Sequence, residues 1–353
     1  MFEKFRNWVS FHRKIIIIGF VVLIVASLAG GLYLFVIKNR LVSRTDPAGS
    51  GQAAEPEIKV KPSPLTGIDV SKDLAARPVT GVMIENSPEA RPQSGLADAG
   101  VVFEAIAEGG ITRFLALYQE DQPDLIGPVR SLRPYYLDWA RGFNSSVAHV
   151  GGSEEALRLA RSVDGFRDLD QFSNGAYFFR SKDRFAPHNV YTRTSLLDLA
   201  SAKKNFGESK FVSIARRKPK PAETPTATTV TIDYSSPLFK ASYTYDKPTN
   251  TYKRSQANKP HVDRETNKQL YADSVVVMKI NWSVQPDGHS VYGTTQGGEV
   301  LIFQDGLVTK GSWSKASRSD QVKFTDGAGV ELKLIPGRTW ISAVPNSRTV
   351  TYQ

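Results

Sequence analysis

Apolar and polar positions along the chain fall into distinct regimes. Residues 15–37, IIIIGFVVLIVASLAGGLYLFVI, form one apolar run without a charged side chain. As a helix rising ~1.5 Å per residue, that run spans a ~30 Å hydrocarbon layer. Lys4, Arg6, Arg13 and Lys14 precede it, and Lys38, Arg40 and Arg44 follow. This balance tilts only slightly toward a cytoplasmic N-terminus, residues 1–14. A cleaved signal peptide, cut near Ser27 and Ala29, is the competing reading. The apolar run continues through Leu32, Leu34, Phe35 and Ile37, further than a signal segment requires. The expectation is therefore an uncut, single-pass plasma-membrane anchor with the bulk of the chain extracytoplasmic.

Residues 38–65 lose apolar periodicity and read as a flexible stalk rich in Pro, Ala, Gly and charge. From 66 to 201 strand and helix patterns alternate. VTGVMIE (79–85) is a strand and 95–99 a short helix. VVFEAIAE (101–108) and TRFLALYQ (112–119) are strands joined at Gly109-Gly110, a tight-hairpin signal. IGPV (126–129) reads as a short strand, and PYYLDWARGF as a helix with Pro134 in its first turn. SSVAHV is a strand, EEALRLARSV a helix capped by Ser153, AYFFRS a strand, and SLLDLASA a helix capped by Thr192. This order predicts an α/β domain with a mixed sheet.

Residues 202–228, including ARRKPKPAETPTATT, carry basic, Pro and Thr residues without apolar period and read as a linker or long loop. Residues 229–353 hold many short strand patterns (VTIDYS, ASYTYD, TYKRSQ, SVVVMKINWSV, SVYGTT, GEVLIFQDG, LVTKGSWS, VKFTD, VELKLI), separated by turns such as Asp287-Gly288 and Asp305-Gly306. That predicts an all-β or β-rich second domain.

Composition narrows the chemistry. The absence of cysteine removes disulfides, thiolate metal sites and cysteine nucleophiles. The formal net charge of +10 favours anionic lipid, wall polymer or nucleic acid. Much of it lies in the membrane flanks and linker, and the short basic run RRKPK lacks interleaved aromatics, so nucleic acid is not expected. Phosphate-binding glycine loops, a GxSxG elbow and HExxH spacing are absent. Ser94 and Ser153 lack the strand–Ser–helix setting of a nucleophile. No cofactor and no metal site is implied.

Strand parity across a two-residue turn sets Glu104, Ile106, Glu108, Arg113 and Leu115 on one face, and leaves Phe103, Ala105, Phe114 and Ala116 as core on the other. Glu104 and Glu108 lie ~13 Å apart by strand rise, long for a glycosidase acid pair. A structural ion-pair cluster and a ligand site both fit this face. Other strand ends place Glu85, Arg130, His149 and Arg180 together if those strands run parallel, with Arg133 nearby at a helix start. Open α/β sheets bind ligands at that end. Arg130 and Arg133 then face an anionic ligand, or Glu104, Glu108 or Asp138 as internal struts. His149, His188 and His261 sit at strand ends or loops, where structural hydrogen bonding competes with a site role; His12 and His289 carry no case. Tyr135, Tyr136, Trp139, Trp282, Trp313 and Trp340 suit either sugar stacking or core.

The stretches GVMIENSPEARPQSGLADAGVVFEAIAEGGITRF, IGPVRSLRPYYLDWA, AHVGGSEEAL and APHNVYT, with YKRSQANKPHVDRETNKQL, VLIFQDG, GSWSK and FTDGAGVELKLIPGRTWI further on, together resemble the YerB-like bacterial lipoprotein family, a two-region domain of unknown function (DUF3048). The resemblance implies an envelope protein with an α/β first part and a β-rich second part, and no settled activity. Relatives in that family carry a lipid on a cysteine; this chain has none, so the apolar helix would take the lipid's place.

Two functions follow as expectations. The first is a binding module for an envelope polymer, glycan or protein partner, held through Glu85, Arg113, Arg130, Arg133, His149 and His188. The second is a hydrolase or lyase on cell-wall glycan or a related ester, with Glu104 or Glu108 as acid or base and His149 assisting. An enzyme needs an acid or base open to a cleft; a binder tolerates these groups paired with one another.

Overall fold

Continuous apolar runs build the first sheet segment because strands covered on both faces have no polar side to alternate with. β1 (Thr80–Glu85) is buried along its whole length. β2 (Val101–Glu108) and β3 (Ile111–Tyr118) form the expected hairpin. Gly109 and Gly110 turn it with φ of +58° and +76°, a pair of left-handed residues that only glycine adopts without strain. α1 (Pro134–Arg141) opens on its proline. β4 (Ser146–His149), α2 (Glu154–Ser162) and β5 (Arg167–Asp170) make a parallel crossover, and the Ser153 hydroxyl caps α2 by accepting from the Ala156 N–H. α3 (Thr194–Lys203) closes this region.

The computed structural model describes residues 60–353. The predicted anchor, the N-terminal segment 1–14 and most of the stalk lie outside the described residues. Among the described residues no helix is long and apolar enough to cross a membrane. Order begins before residue 66: Val60–Pro62 pairs with Asp69–Ser71, and Leu65 is fully buried.

The second region supplies β6 (Thr229–Asp233), β7 (Lys240–Asp246), β8 (Thr251–Gln256), β9 (Ser274–Ile280), β10 (Trp282–Val284), β11 (Ser290–Tyr292), β12 (Gly297–Gln304), β13 (Leu307–Ser314), β14 (Lys323–Thr325), β15 (Thr339–Pro345) and β16 (Val350–Tyr352). β15 runs parallel to β9 on one side and to β2 on the other. It thereby joins both regions in one ten-stranded sheet of order β14-β13-β12-β9-β15-β2-β3-β1-β4-β5. A second sheet, centred on β8, β7, β6 and β16, shares the same buried core. Residues Ile58–Gln353 form one compact unit.

Several elements differ from expectation. IGPV joins no ladder beyond isolated bridges. It crosses the carboxyl ends of the parallel strands, where the Arg130 N–H donates to Met83 O (2.8 Å) and the Val150 N–H donates to Arg130 O (3.0 Å). AYFFRS is a 3-10 turn, Gly175–Tyr177, then a short ribbon of Phe179–Arg180 with Val190–Tyr191, so Arg180 does not end a strand of the main sheet. The Thr192 hydroxyl does not cap α3; it donates to Tyr177 O. VELKLI forms only isolated bridges at Glu331 and Leu334. Beyond α3, residues up to 228 form an irregular loop docked on the fold: Arg216, partly buried, donates to Leu65 O (2.7 Å) and Ile335 O (2.8 Å), while Arg217 pairs with Asp305 (2.7 Å).

Candidate functional site

The β2–β3 hairpin decides which charges meet, and it carries a β-bulge. Ala105 pairs with Arg113, Ile106 with Thr112 and Glu108 with Ile111, leaving Ala107 as the extra residue. One added residue inverts side-chain parity beyond it. Glu104 therefore shares a face with Thr112 and Phe114, and Glu108 lies on the opposite face with Arg113. The expected face holding both acids with Arg113 does not exist, and the face expected to be clean core carries Arg113 beside Ala105.

Glu104 is fully buried, as is its partner Arg254 at 3.0 Å. Trp340 Nε1 donates to Glu104 Oε2 (3.0 Å) and the Thr112 hydroxyl to Oε1 (3.0 Å). The Arg254 guanidinium lies over Trp340 (4.4 Å), Tyr243 (5.3 Å) and Phe114 (5.9 Å), three rings whose faces attract a cation. Its Nε donates to His261 Nδ1 (3.1 Å), and His261 Nε2 in turn bonds Gln93 Oε1 (2.8 Å). Burial, with Arg254 and Arg91 nearby, holds the His261 pKa well below the ordinary imidazole value, so the ring is neutral. Glu104 is therefore a core ion pair closed to substrate, not an acid or base at a cleft.

On the opposite face, Glu108 Oε1 accepts from Arg113 (2.6 Å), and Oε2 accepts from Arg133 Nη2 (2.6 Å) and Nε (3.1 Å). Burial pushes its pKa up, but the two guanidiniums outweigh that and lower it overall. Its side chain is 36% exposed. Arg133 also lines a cleft of about 330 Å³ with Tyr135, Asp138, Arg158, His289 and Arg318. Asp138 pairs with Arg318 (3.1 Å) and Thr294 (2.6 Å), not with Arg130 or Arg133.

At the end of β1, Arg130 grips Glu85 with two parallel bonds, Nε to Oε2 (2.7 Å) and Nη2 to Oε1 (3.0 Å). His188 Nδ1 lies 2.8 Å from Glu85 Oε2. The crevice expectation thus brings Glu85, Arg130 and His188 together, and His188 faces an open cleft of about 440 Å³. His149 ends β4 but is fully buried, its Nε2 2.7 Å from Asp168 and its Nδ1 2.8 Å from Gly151 O. Burial raises the Asp168 pKa and His149 more than reverses it. With both nitrogens occupied, His149 is a packing histidine. Among the described residues no group of three or more histidine and acidic side chains is arranged to hold a metal. Tyr135, Tyr136, Trp139, Trp313 and Trp340 are core residues, not an open stacking surface.

Sequence reasoning passed over Arg254 and Phe185. Arg254 had a signal: in TYKRSQ it shares parity with Tyr252 and Gln256, and all three are buried. Phe185 had none, since nothing in a loop reports exposure.

Comparison with known proteins agrees with this architecture. Residues 65–207 match "Protein of unknown function (DUF3048) N-terminal domain" and residues 230–341 match the corresponding C-terminal domain. A Bacillus subtilis (strain 168) protein named "Putative lipoprotein YerB" is 33% identical over 292 residues, covering 80% of this chain and 86% of its own. The crystal structure of YerB from Bacillus subtilis superposes with a TM-score of 0.75 at 29% identity, covering 83% of this chain and all of that one. The chain belongs to the DUF3048 family, whose two regions here share a single sheet.

Proposed function

We propose that the chain is a membrane-tethered, extracytoplasmic binding module of the bacterial envelope. It engages an envelope polymer, glycan or protein at the carboxyl ends of β1, β4 and β5. The observation that carries this reading is the pairing of each candidate carboxylate with arginine: Glu104 with Arg254, Glu108 with Arg113 and Arg133, Glu85 with Arg130. A general acid must hold its proton near neutral pH, and the guanidiniums around Glu108 act against that. The apolar run at 15–37 and the relative named as a putative lipoprotein support the envelope setting.

The test uses residues 58–353, a unit with its own core. Incubated with purified bacterial cell wall, the wild type is expected to co-sediment without releasing soluble fragments. His188→Ala with Arg264→Ala is expected to weaken retention. Fragment release abolished by Glu108→Gln would establish the hydrolase instead. For the full chain, protease added to intact protoplasts should digest the 58–353 unit; protection would overturn the orientation.

A further inference from the structure

The cleft over His188 combines features that no single neighbour explains. Glu85 is fixed by two bonds from Arg130, and it fixes His188 Nδ1 in turn. A carboxylate only accepts, so Nδ1 is the donor to Glu85, and in the tautomer this bond selects Nε2 keeps a lone pair. Nε2 makes no hydrogen bond among the described residues, and the side chain is 21% exposed. An oriented acceptor is therefore presented at the open side.

Phe185 stands three residues earlier and is 92% exposed. Its loop is held in place. Arg184 donates to Glu89 O and Pro92 O, each at 2.6 Å, the His188 N–H donates to Phe185 O (2.9 Å), and Arg264 pairs with Asp183 (3.3 Å). A single exposed ring is ordinary on a protein surface. A ring on a stapled loop beside an imidazole oriented through Nδ1, with Nε2 left over, borders a shallow open cleft. The remaining lining residues are Glu89, Asp183, Arg184 and Arg264, two carboxylates and two guanidiniums whose formal charges cancel.

We infer that this cleft is a saccharide subsite for an uncharged pyranose unit, with Phe185 as stacking platform and His188 Nε2 as hydroxyl acceptor. A pyranose has a C–H-rich face that covers an aromatic ring and a rim of hydroxyls that donate and accept. The lining supplies the ring, carboxylate acceptors and a guanidinium donor. An anionic ligand is disfavoured because the two carboxylates of the lining offset its two guanidiniums, and Arg264 already pairs with Asp183. The inference deepens the binding reading above by naming the class of ligand.

The experiment titrates the 58–353 unit by calorimetry with chitotetraose, a neutral N-acetylhexosamine tetramer, and with tetragalacturonate, an anionic tetramer of equal length. The neutral sugar is expected to bind, Phe185→Ala to weaken it about tenfold, and Phe185→Trp to retain it. His188→Phe, which removes the acceptor, is expected to weaken it similarly. Phe185 is almost wholly in water, so its loss leaves the fold intact. Equal affinity in wild type and Phe185→Ala, preference for the uronate, or no binding of either sugar at millimolar concentration overturns the inference. Phosphatidylglycerol vesicles provide a further arm: vesicle binding lost in Phe185→Ala without sugar binding would also overturn it. Wall retention that survives without sugar binding rejects the saccharide subsite alone, whereas no wall retention at all also rejects the polymer and glycan forms of the binding reading and leaves a protein partner.

Discussion

A buried charge is held by what surrounds it, and Glu104 shows what its removal should do. Glu104→Gln keeps the shape but strands the Arg254 cation among three rings. The expected loss is about 3–5 kcal/mol of unfolding free energy by urea denaturation. The paired change Glu104→Leu with Arg254→Met should recover most of it, because a well-packed apolar pair replaces a desolvated ionic one. A Glu104→Gln variant as stable as wild type would mean that the pair is not a strut. His261 makes a second prediction, on pH. Its folded pKa is depressed, so below about pH 6.5 the unfolded chain takes up a proton that the folded one refuses. Stability then falls as pH drops toward the folded value, by ~1.4 kcal/mol per pH unit at most. Glu108 and Asp168, whose folded pKa values are lowered, contribute stability above their unfolded values near pH 4 and lose it only in stronger acid. Between pH 6.5 and 5, His261→Gln should therefore flatten the slope; an unchanged slope assigns it to other groups.

Among the elements, the hairpin with its bulge shows how far the sequence could be read. Gly109-Gly110 marked the turn, and the apolar runs marked both strands. Ala107 carried no mark as the extra residue, because alanine suits either face and the bulge arises from packing across the sheet. The error in parity followed from that one residue and misplaced Glu104, while Glu108 kept its expected place opposite Ile111 and beside Arg113. The parallel crossover from β4 through α2 was legible from Ser153 and its acidic first turn. β15 was missed because TWISAVP shows no apolar–polar alternation, its Thr339 and Ser342 being buried with the rest in a strand covered on both faces. Of the site, Glu85, Arg130 and His188 were legible as strand-end and loop residues; their mutual contact was not, since it depends on how loops return over the sheet. Deleting Ala107 should regularise the hairpin and keep Glu108 opposite Ile111 on the face of Arg113, whereas Glu108→Ala should leave the Arg113 and Arg133 guanidiniums without their carboxylate. The expected cost of Glu108→Ala is roughly 1–2 kcal/mol, read from the urea midpoint, because the carboxylate is partly open to solvent. An unaltered midpoint would show that Glu108 does not act as a strut between the two arginines.

For the whole molecule, one sheet through two family regions predicts one cooperative transition. Trp139 reports on the first region, and Trp313 and Trp340 on the second. Tryptophan fluorescence and far-UV circular dichroism of the 58–353 unit should give coincident unfolding curves. Two separated midpoints would mean that the regions melt independently despite β15. The order of strands also bears on how the protein acquires its shape. β1 to β5 are all present once the first region has emerged, yet the outer edge of β2 has its partner only when Thr339–Pro345 arrives from the far end of the sequence. Until then a long apolar edge stands open, the kind that recruits strands from other molecules. A chain delivered N-terminus first therefore passes through an interval in which its largest sheet is half built. Closure late in delivery makes folding slow and dependent on distant contacts. During that interval, protection from aggregation must come from whatever escorts the chain and not from the fold itself.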